Sequence, residues 1–360
     1  MGVDKVGGMD IELRPLRDRV VAPAELPLLS HPDVAQWRSA TESDIDGIWH
    51  LDRAIGRADH PNYLATREEV SEAFGFSHFH PELDSLVGLD TNGRIVANGW
   101  VVFPRGQVTL VRSFLSGGVH PQLRGRGIGR ALLDWQLGRA KQQLASSTKT
   151  LPGWIQTFTD ERAPQNARLY ERGGLKLTRY FLLLERLLAA PIRSFDLASG
   201  IRIAQYTPDM SAAVHVARDE AFMDHWSSQP VSGEGWASFV GSEVFRPELS
   251  FVAFGPGSFG PGSDGPERVV GFTMTTVNED DWESQGFSGS YIDLVGVLSG
   301  WRGKHIAQAL LAAQMKASRA LGHERVTLDV DSKSPTGALG LYTGMGFHPT
   351  NRDLAFVLEF

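Results

Sequence analysis

The sequence predicts an α/β protein of two tandem units, each a mixed, mostly antiparallel twisted sheet flanked by helices. Three observations carry this expectation. A chain of 360 residues with 42% hydrophobic content suits two domains better than one. The same order of strand and helix signals occurs twice, with a period too long for a solenoid. Each copy also carries an apolar strand that runs into a glycine-rich turn and opens an amphipathic helix.

Taken in order, Arg38–Asp44 followed by Ile45 and Ile48 reads as a short strand entering a helix, and Arg202–Asp209 followed by Met210, Ala213 and Val214 repeats it. Paired strands around turns come next. They are Leu86–Leu89 and Ile95–Phe103 about the Asp90–Arg94 turn, then Phe251–Phe254 and Val269–Thr276 about the low-complexity tip Gly255–Pro266. Phe114–Val119 leads through Gln122–Gly129 into a helix over Arg130–Leu144, and Tyr291–Val297 leads through Gly300–Ala307 into one over Gln308–Leu321. A strand, a helix and a glycine turn then close each copy: Trp154–Thr159, Asn166–Arg172 and Gly173–Leu175 against Arg325–Asp331, Thr336–Gly344 and Gly346–Phe347. Aligning Gly125 with Gly303 gives an offset of 178 residues (from 125 to 303), and aligning Tyr170 with Tyr342 gives 172 (from 170 to 342). Loop-length drift accounts for the difference. Final apolar strands are expected over Tyr180–Arg186 and Leu354–Phe360. The expected division is an N-terminal extension over 1–35, a first unit over 36–187, a linker over 188–200 with Pro191 and Gly200, and a second unit over 201–360.

Composition narrows the chemistry. With no cysteine, disulfides, thiolate metal sites and a cysteine nucleophile are excluded. The formal charge of −7 provides no general field for nucleic acid or anionic membranes, so neither is expected as a partner. Met1–Asp10 lacks the apolar core of a secretory signal and no long apolar run follows, so a cytoplasmic protein, monomer or homodimer, is expected. His78 and His80 have metal-ligand spacing without a third ligand in the motif, so no metal is expected.

The glycine-rich turns are the strongest chemical signal. Gly125, Gly127 and Gly129 stand where a strand meets a helix whose Ile128, Leu132 and Trp135 share a face. Unpaired amides and the positive end of the helix dipole make such a turn an anion site, and Arg124 and Arg126 add charge. Neither the Walker pattern nor the dinucleotide fingerprint fits. Gln122-x-x-Gly125-x-Gly127 resembles the pyrophosphate-binding motif of the GNAT N-acetyltransferases, and Gly173-Gly174 and Gly346-Phe347 resemble that family's closing turn. The chain from about Gln36 onward is similar in layout to the tandem members, in which two GNAT units share one chain. The second copy departs from the motif: Gly300 replaces the glutamine, His305 the middle glycine and Ala307 the last.

The resemblance implies acetyl-coenzyme A as cosubstrate and an amine, most simply of a small molecule, as acceptor. It implies coenzyme contacts from Val119, Gln122, Arg124, Gly125, Arg126, Gly127, Ile128 and Gly129, and from Val297, Arg302, Gly303, Lys304, His305, Ile306 and Ala307, with the Val297 amide polarising the thioester carbonyl. Tyr342 and Tyr170 occupy the position of the tyrosine that protonates the departing thiolate, the alternative for each being an aromatic that merely packs. Asp293 faces Leu115 across the repeat, so only the second copy offers a carboxylate near the thioester, as catalytic base, as ligand for a cationic acceptor or as a plain strand acid. Alternation groups Tyr291, Asp293 and Val295 on one face. Asp224, His225 and Trp226 fall in the segment that forms the acceptor pocket in the family, where they would clasp a small polar amine, the alternative being a helix end with an aromatic packed on the core. Chemistry is therefore expected in the second unit. A non-catalytic acyl-CoA-binding scaffold and a protein acetyltransferase are the rivals.

Overall fold

A computed structural model describes residues 13–60, 62–257, 267–334 and 336–360. Met1–Asp10 and most of the Gly255–Pro266 tip lie outside them. The first half contains α1 (Leu16–Arg19), β1 (Gln36–Arg38), α2 (Ile45–Asp59), α3 (Arg67–Gly75), α4 (Pro81–Asp84), β2 (Ser85–Leu89), β3 (Ile95–Val102), β4 (Val111–Val119), α5 (Ile128–Ala145), β5 (Gly153–Asp160), α6 (Pro164–Arg172) and β6 (Lys176–Leu187). The second repeats the pattern with β7 (Arg202–Gln205), α7 (Ser211–Ala221), α8 (Gly233–Gly241), β8 (Phe251–Gly255), β9 (Arg268–Thr276), α9 (Asp280–Gln285), β10 (Gly289–Val297), α10 (Ile306–Ala320), β11 (Arg325–Asp331), α11 (Ala338–Gly344) and β12 (His348–Glu359).

All twelve strands form one mixed sheet in the order β1-β2-β3-β4-β5-β12-β6-β11-β10-β9-β8-β7. The halves exchange their last strands at its centre. Antiparallel β12 pairs with β5 from Asp353↔Asp160 to Glu359↔Trp154, and β6 pairs with β11 from Arg325↔Leu187 to Asp331↔Phe181. Side chains follow the strands across. Phe356 of β12 lies with Leu132, Leu133 and Ile155 in the core beneath α5, while Leu184 and Leu188 join Leu311, Met315 and Val326 beneath α10. The sheet ends on β1 and β7, and such short edge strands leave little open edge for further pairing.

The turns behave as their residues require. Asp90 Oδ1 accepts from the amides of Asn92 and Arg94, both at 2.9 Å, and Gly93 takes φ +76° to close the β2–β3 hairpin. Helix α5 begins at Ile128, two residues before the expected start, because Gly127 at φ +101° forms its left-handed N-cap and lets the helix open at the next residue. Ile128, Leu132 and Trp135 are all buried against the sheet, as their spacing predicts. Among the described residues no helix is long and apolar enough to cross a membrane.

One departure from regular pairing positions the site. Parallel β4 and β5 pair only from Val111↔Gly153 to Phe114↔Gln156, and β10 and β11 only from Gly289↔Arg325 to Ile292↔Leu328. Beyond those residues each pair of strands diverges. The result is one wedge-shaped opening per half, with a glycine-rich turn at its mouth.

Candidate active site

The two turns are built alike. Gly125 and Gly303 both adopt φ +77°, and the residue before each helix is also left-handed, Gly127 at +101° and His305 at +60°. A non-glycine residue held there costs roughly 1–2 kcal/mol, which the surrounding structure must offset. The His305 ring stacks on Phe195 of the connecting segment, with centroids 6.2 Å apart. The first-turn amides of α5 and α10 lack helical acceptors, and Gly129 and Ala307 are half-buried, each lining the cleft of its half.

The arginines take a different part from the one their charge implied. Arg124 donates Nε to Val119 O at 3.1 Å and both terminal nitrogens to Asp59 at 2.6 and 2.9 Å. Arg302 repeats the arrangement with Val297 O at 3.2 Å and Asp224 at 2.6 and 3.2 Å. Both are latches that fix the strand to the end of the preceding helix, and their charge is already paired. Arg126, 3.3 Å from Asp33 and half exposed, and Lys304, 4.9 Å above the Trp301 ring, stay at the rims. Gln122 is exposed beside the first turn.

Each opening holds a cleft. That of the first half, about 380 Å³, is lined by Gly117–Val119, Gly125, Gly127, Gly129 and Tyr170. That of the second, about 250 Å³, is lined by Val295–Val297, Arg302, Gly303, His305–Ala307 and Tyr342. Burial raises the phenol pKa of both tyrosines, strongly at Tyr342. Tyr170 is also hydrogen-bonded to Thr157 and edge-on to Phe356, with centroids 5.6 Å apart.

A third cavity, about 400 Å³, meets β10 and β11 where they begin to part. Its floor is Tyr291, Asp293, Thr327 and Asp329, and its walls bring Tyr63, Glu69 and Glu72 from the first half against Phe239, Asn278 and Asp281 from the second. The β9–β10 register slips between Ile292 and Leu294, leaving Asp293 as a bulge. This corrects the expected alternation. Val295 packs with the Ile292 cluster and lines the cleft, whereas Tyr291 and Asp293 line the cavity. One strand thus lines both the second-half cleft and the cavity within three residues.

Electrostatics in the cavity are unusual. Thr276 Oγ1 donates to Asp293 at 2.7 Å and Tyr291 donates to Asp329 Oδ2 at 2.8 Å, while Asp329 Oδ1 is buried without a hydrogen-bond partner. Burial pushes Asp293 and Asp281 up to about 7 and Asp329 to about 6, and Glu69 is raised for the same reason, with neighbouring carboxylates adding to the shifts. A carboxyl with a raised folded pKa favours the fold only while protonated, so this contribution is present near pH 4 and is lost as pH rises through about 7. Asp281→Asn is therefore expected to raise Tm relative to the parent at pH 8 and much less at pH 5, measured by thermal melts of both proteins across that range.

Beside the cavity, His60, Asp160 and Asp353 place potential ligand atoms within 4.8 Å of one another. Arg162 already holds both oxygens of Asp160, at 2.9 and 2.6 Å, and His60 lies 3.2 Å from Asp353.

Comparison with known proteins decides the family. The acetyltransferase (GNAT) family pattern matches residues 222–347. A mycothiol acetyltransferase of Frankia casuarinae is 30% identical over 248 residues, 67% of each chain. The chain belongs to the GNAT acetyltransferases. A second mycothiol acetyltransferase, from Gordonia bronchialis, is 28% identical over 91% of this acetyltransferase and 96% of its own length. Two solved structures share the fold across both halves. A GCN5-related N-acetyltransferase from Sphaerobacter thermophilus has TM-score 0.66 at 24% identity over 92% of this chain and 97% of its own. A tandem GNAT protein from the clavulanic acid biosynthesis pathway has TM-score 0.63 at 15% identity, over 90% and 98%.

Within the acetyltransferase, the segment expected to hold the acceptor is dispersed. Asp224 is engaged by Arg302, His225 lines the second-half cleft, and Trp226 packs against Trp154 and Phe181 at 5.4 and 6.1 Å between centroids. None of the three lines the acidic cavity. Of the carboxylates that line it, Asp293 was read from the sequence, whereas Glu69, Glu72, Glu185, Asp281, Asp329 and Asp353 were not. A signal existed for Asp329: the 172-residue offset (from 157 to 329) sets it against Thr157, the same contrast that drew attention to Asp293.

Proposed function

We propose that this enzyme transfers the acetyl group of acetyl-CoA to a primary amine of a small molecule, and that it does so in the second half. The pyrophosphate would rest on the amides of Gly303–Ala307, with Arg302 holding the turn rather than the anion. The acceptor would enter through the acidic cavity. Attack of the amine nitrogen on the thioester carbonyl forms the C–N bond, and collapse breaks the C–S bond. The Val297 amide polarises the carbonyl, Asp293 takes the proton lost by the amine, directly or through water, and Tyr342 supplies one to the thiolate.

The observation that carries this reading is the Asp293 bulge, which presents to the cavity a carboxyl pushed up to about 7, two residues before Val295 of the second-half cleft. A base must be ionised to accept a proton, so kcat/KM is expected to rise as pH passes through about 7. Thiol release from acetyl-CoA with a panel of small amines tests the reading. Turnover that falls about 10²–10⁴-fold in Asp293→Asn supports it; no release with any amine refutes it.

The first half is read as holding coenzyme A without turnover. Its counterpart of Asp293 is Leu115, buried in the core, and Trp226 from the other half packs on Trp154 of β5. The name borne by the relatives makes a mycothiol-type amine the first acceptor to try.

A further inference from the structure

The acidic cavity holds more carboxyl groups than one transferable amine requires. Glu185 is bridged by Arg325 and Asp353 by His60, but Glu69, Glu72, Asp281, Asp293 and Asp329 form no salt bridge with Arg or Lys among the described residues. Among the described residues no Lys or Arg lines the cavity. Nor is the cluster a solvated acidic surface. Asp329 Oδ1 is fully buried and lacks a partner, although the cavity beside it has room for a ligand. Buried unpaired acceptors are costly, and a donor arriving with the ligand removes that cost.

The acids are also divided between two structures. Asp293 and Asp329 stand on the strand floor, where acyl transfer is placed, whereas Glu69, Glu72 and Asp281 stand on the helical wall formed by α3 and α9. Their hydrogen bonds leave oxygens available: among the described residues Glu72 Oε2 accepts from Ser238 alone, and Asp281 Oδ1 accepts from Leu64 N and Asn278 while Oδ2 accepts from none. A single ammonium on the floor leaves the wall uncompensated. Tyr63, Phe239, Phe287 and Tyr291 line the same cavity and supply apolar surface for an aliphatic spacer.

We infer that the acceptor is a small molecule carrying at least two ammonium groups, one delivered to Asp293 for acetylation and the other held by Glu69, Glu72 and Asp281. Charge-assisted hydrogen bonds at the second group give affinity and set the reach of the acceptor, so the wall selects oligoamines over monoamines. This rests on the reading that Asp293 marks the reacting end.

The test compares an α,ω-diamine series and spermidine with monoamines of matching length, on the full chain saturated with acetyl-CoA for thiol release and with coenzyme A for calorimetry. The expected result is a kcat/KM and an affinity about 10–100-fold higher for the best diamine than for its monoamine. Glu72→Gln should lower that ratio, and Asp281→Asn provides a second variant should the first fail to fold. Equal kcat/KM and equal affinity for both series, with turnover intact, overturn the inference and leave the acetyl-transfer reading standing. Absence of thiol release with every amine overturns that reading instead, and calorimetric preference for diamines, or its absence, then decides the inference by itself.

Discussion

Tyr342→Phe is expected to lower kcat about 10²–10⁴-fold while coenzyme A binding stays within a few-fold of the parent. The phenol lies in the cleft of the second half, buried, and burial raises its pKa well above the ordinary 10, so it remains protonated throughout the working range. A thiolate leaving group, of pKa about 8.5 in its ordinary state, develops negative charge that this proton can meet. Removing the hydroxyl keeps the ring, whose edge-on contact with Phe347 at 5.9 Å supplies the packing, so the fold should survive. Tyr170→Phe is the internal control: the first half has the core residue Leu115 where the second has Asp293, and turnover should be retained. Thiol release and calorimetry on both variants separate the halves. Loss in Tyr170→Phe with retention in Tyr342→Phe would move the chemistry to the first half.

Breaking the chain at Ala198–Gly200 is expected to yield two fragments that do not fold alone and that recover native structure when produced together. Each fragment would lack a central strand: without β12 the first has an open β5 edge and no Phe356 in its core, and without β6 the second has an open β11 edge and no Leu184. Long unpaired edges of this kind promote aggregation. The same logic makes Phe356→Ala costly, about 3–5 kcal/mol, out of a total of roughly 5–15 kcal/mol for a typical protein. Its effect should appear as one cooperative melt at lower temperature, because the cores are interleaved. Size-exclusion chromatography and circular dichroism of the fragments, separately and together, check the exchange; a folded monomeric fragment would contradict it.

Much of the architecture was legible because local chemistry determines it. Gly125 and Gly303 mark turns that need positive φ, and the spacing of Ile128, Leu132 and Trp135 identifies the buried face of α5. The strand exchange was not legible, since β6 and β12 read as apolar strands whichever neighbour they choose. Position 293 was found by comparing the halves, but strict alternation misassigned Val295 because a bulge leaves no mark in the pattern. The acidic cavity was hidden for a further reason. Its walls come from α3 and α9, elements more than 200 residues apart, and only the joined sheet brings Glu69 near Asp281. Asp224 misled because an acid beside aromatics suggests an amine site, whereas the guanidinium of Arg302 claims it.

A crystal structure with acetyl-CoA and an amine bound would test the assignment most directly. The account predicts pyrophosphate density against the amides of Gly303–Ala307 and the thioester in the opening between β10 and β11, its sulfur toward Tyr342 and its carbonyl toward Val297 N, with the amine at Asp293. Coenzyme found only in the first half, or an amine bound away from Asp293, would contradict it.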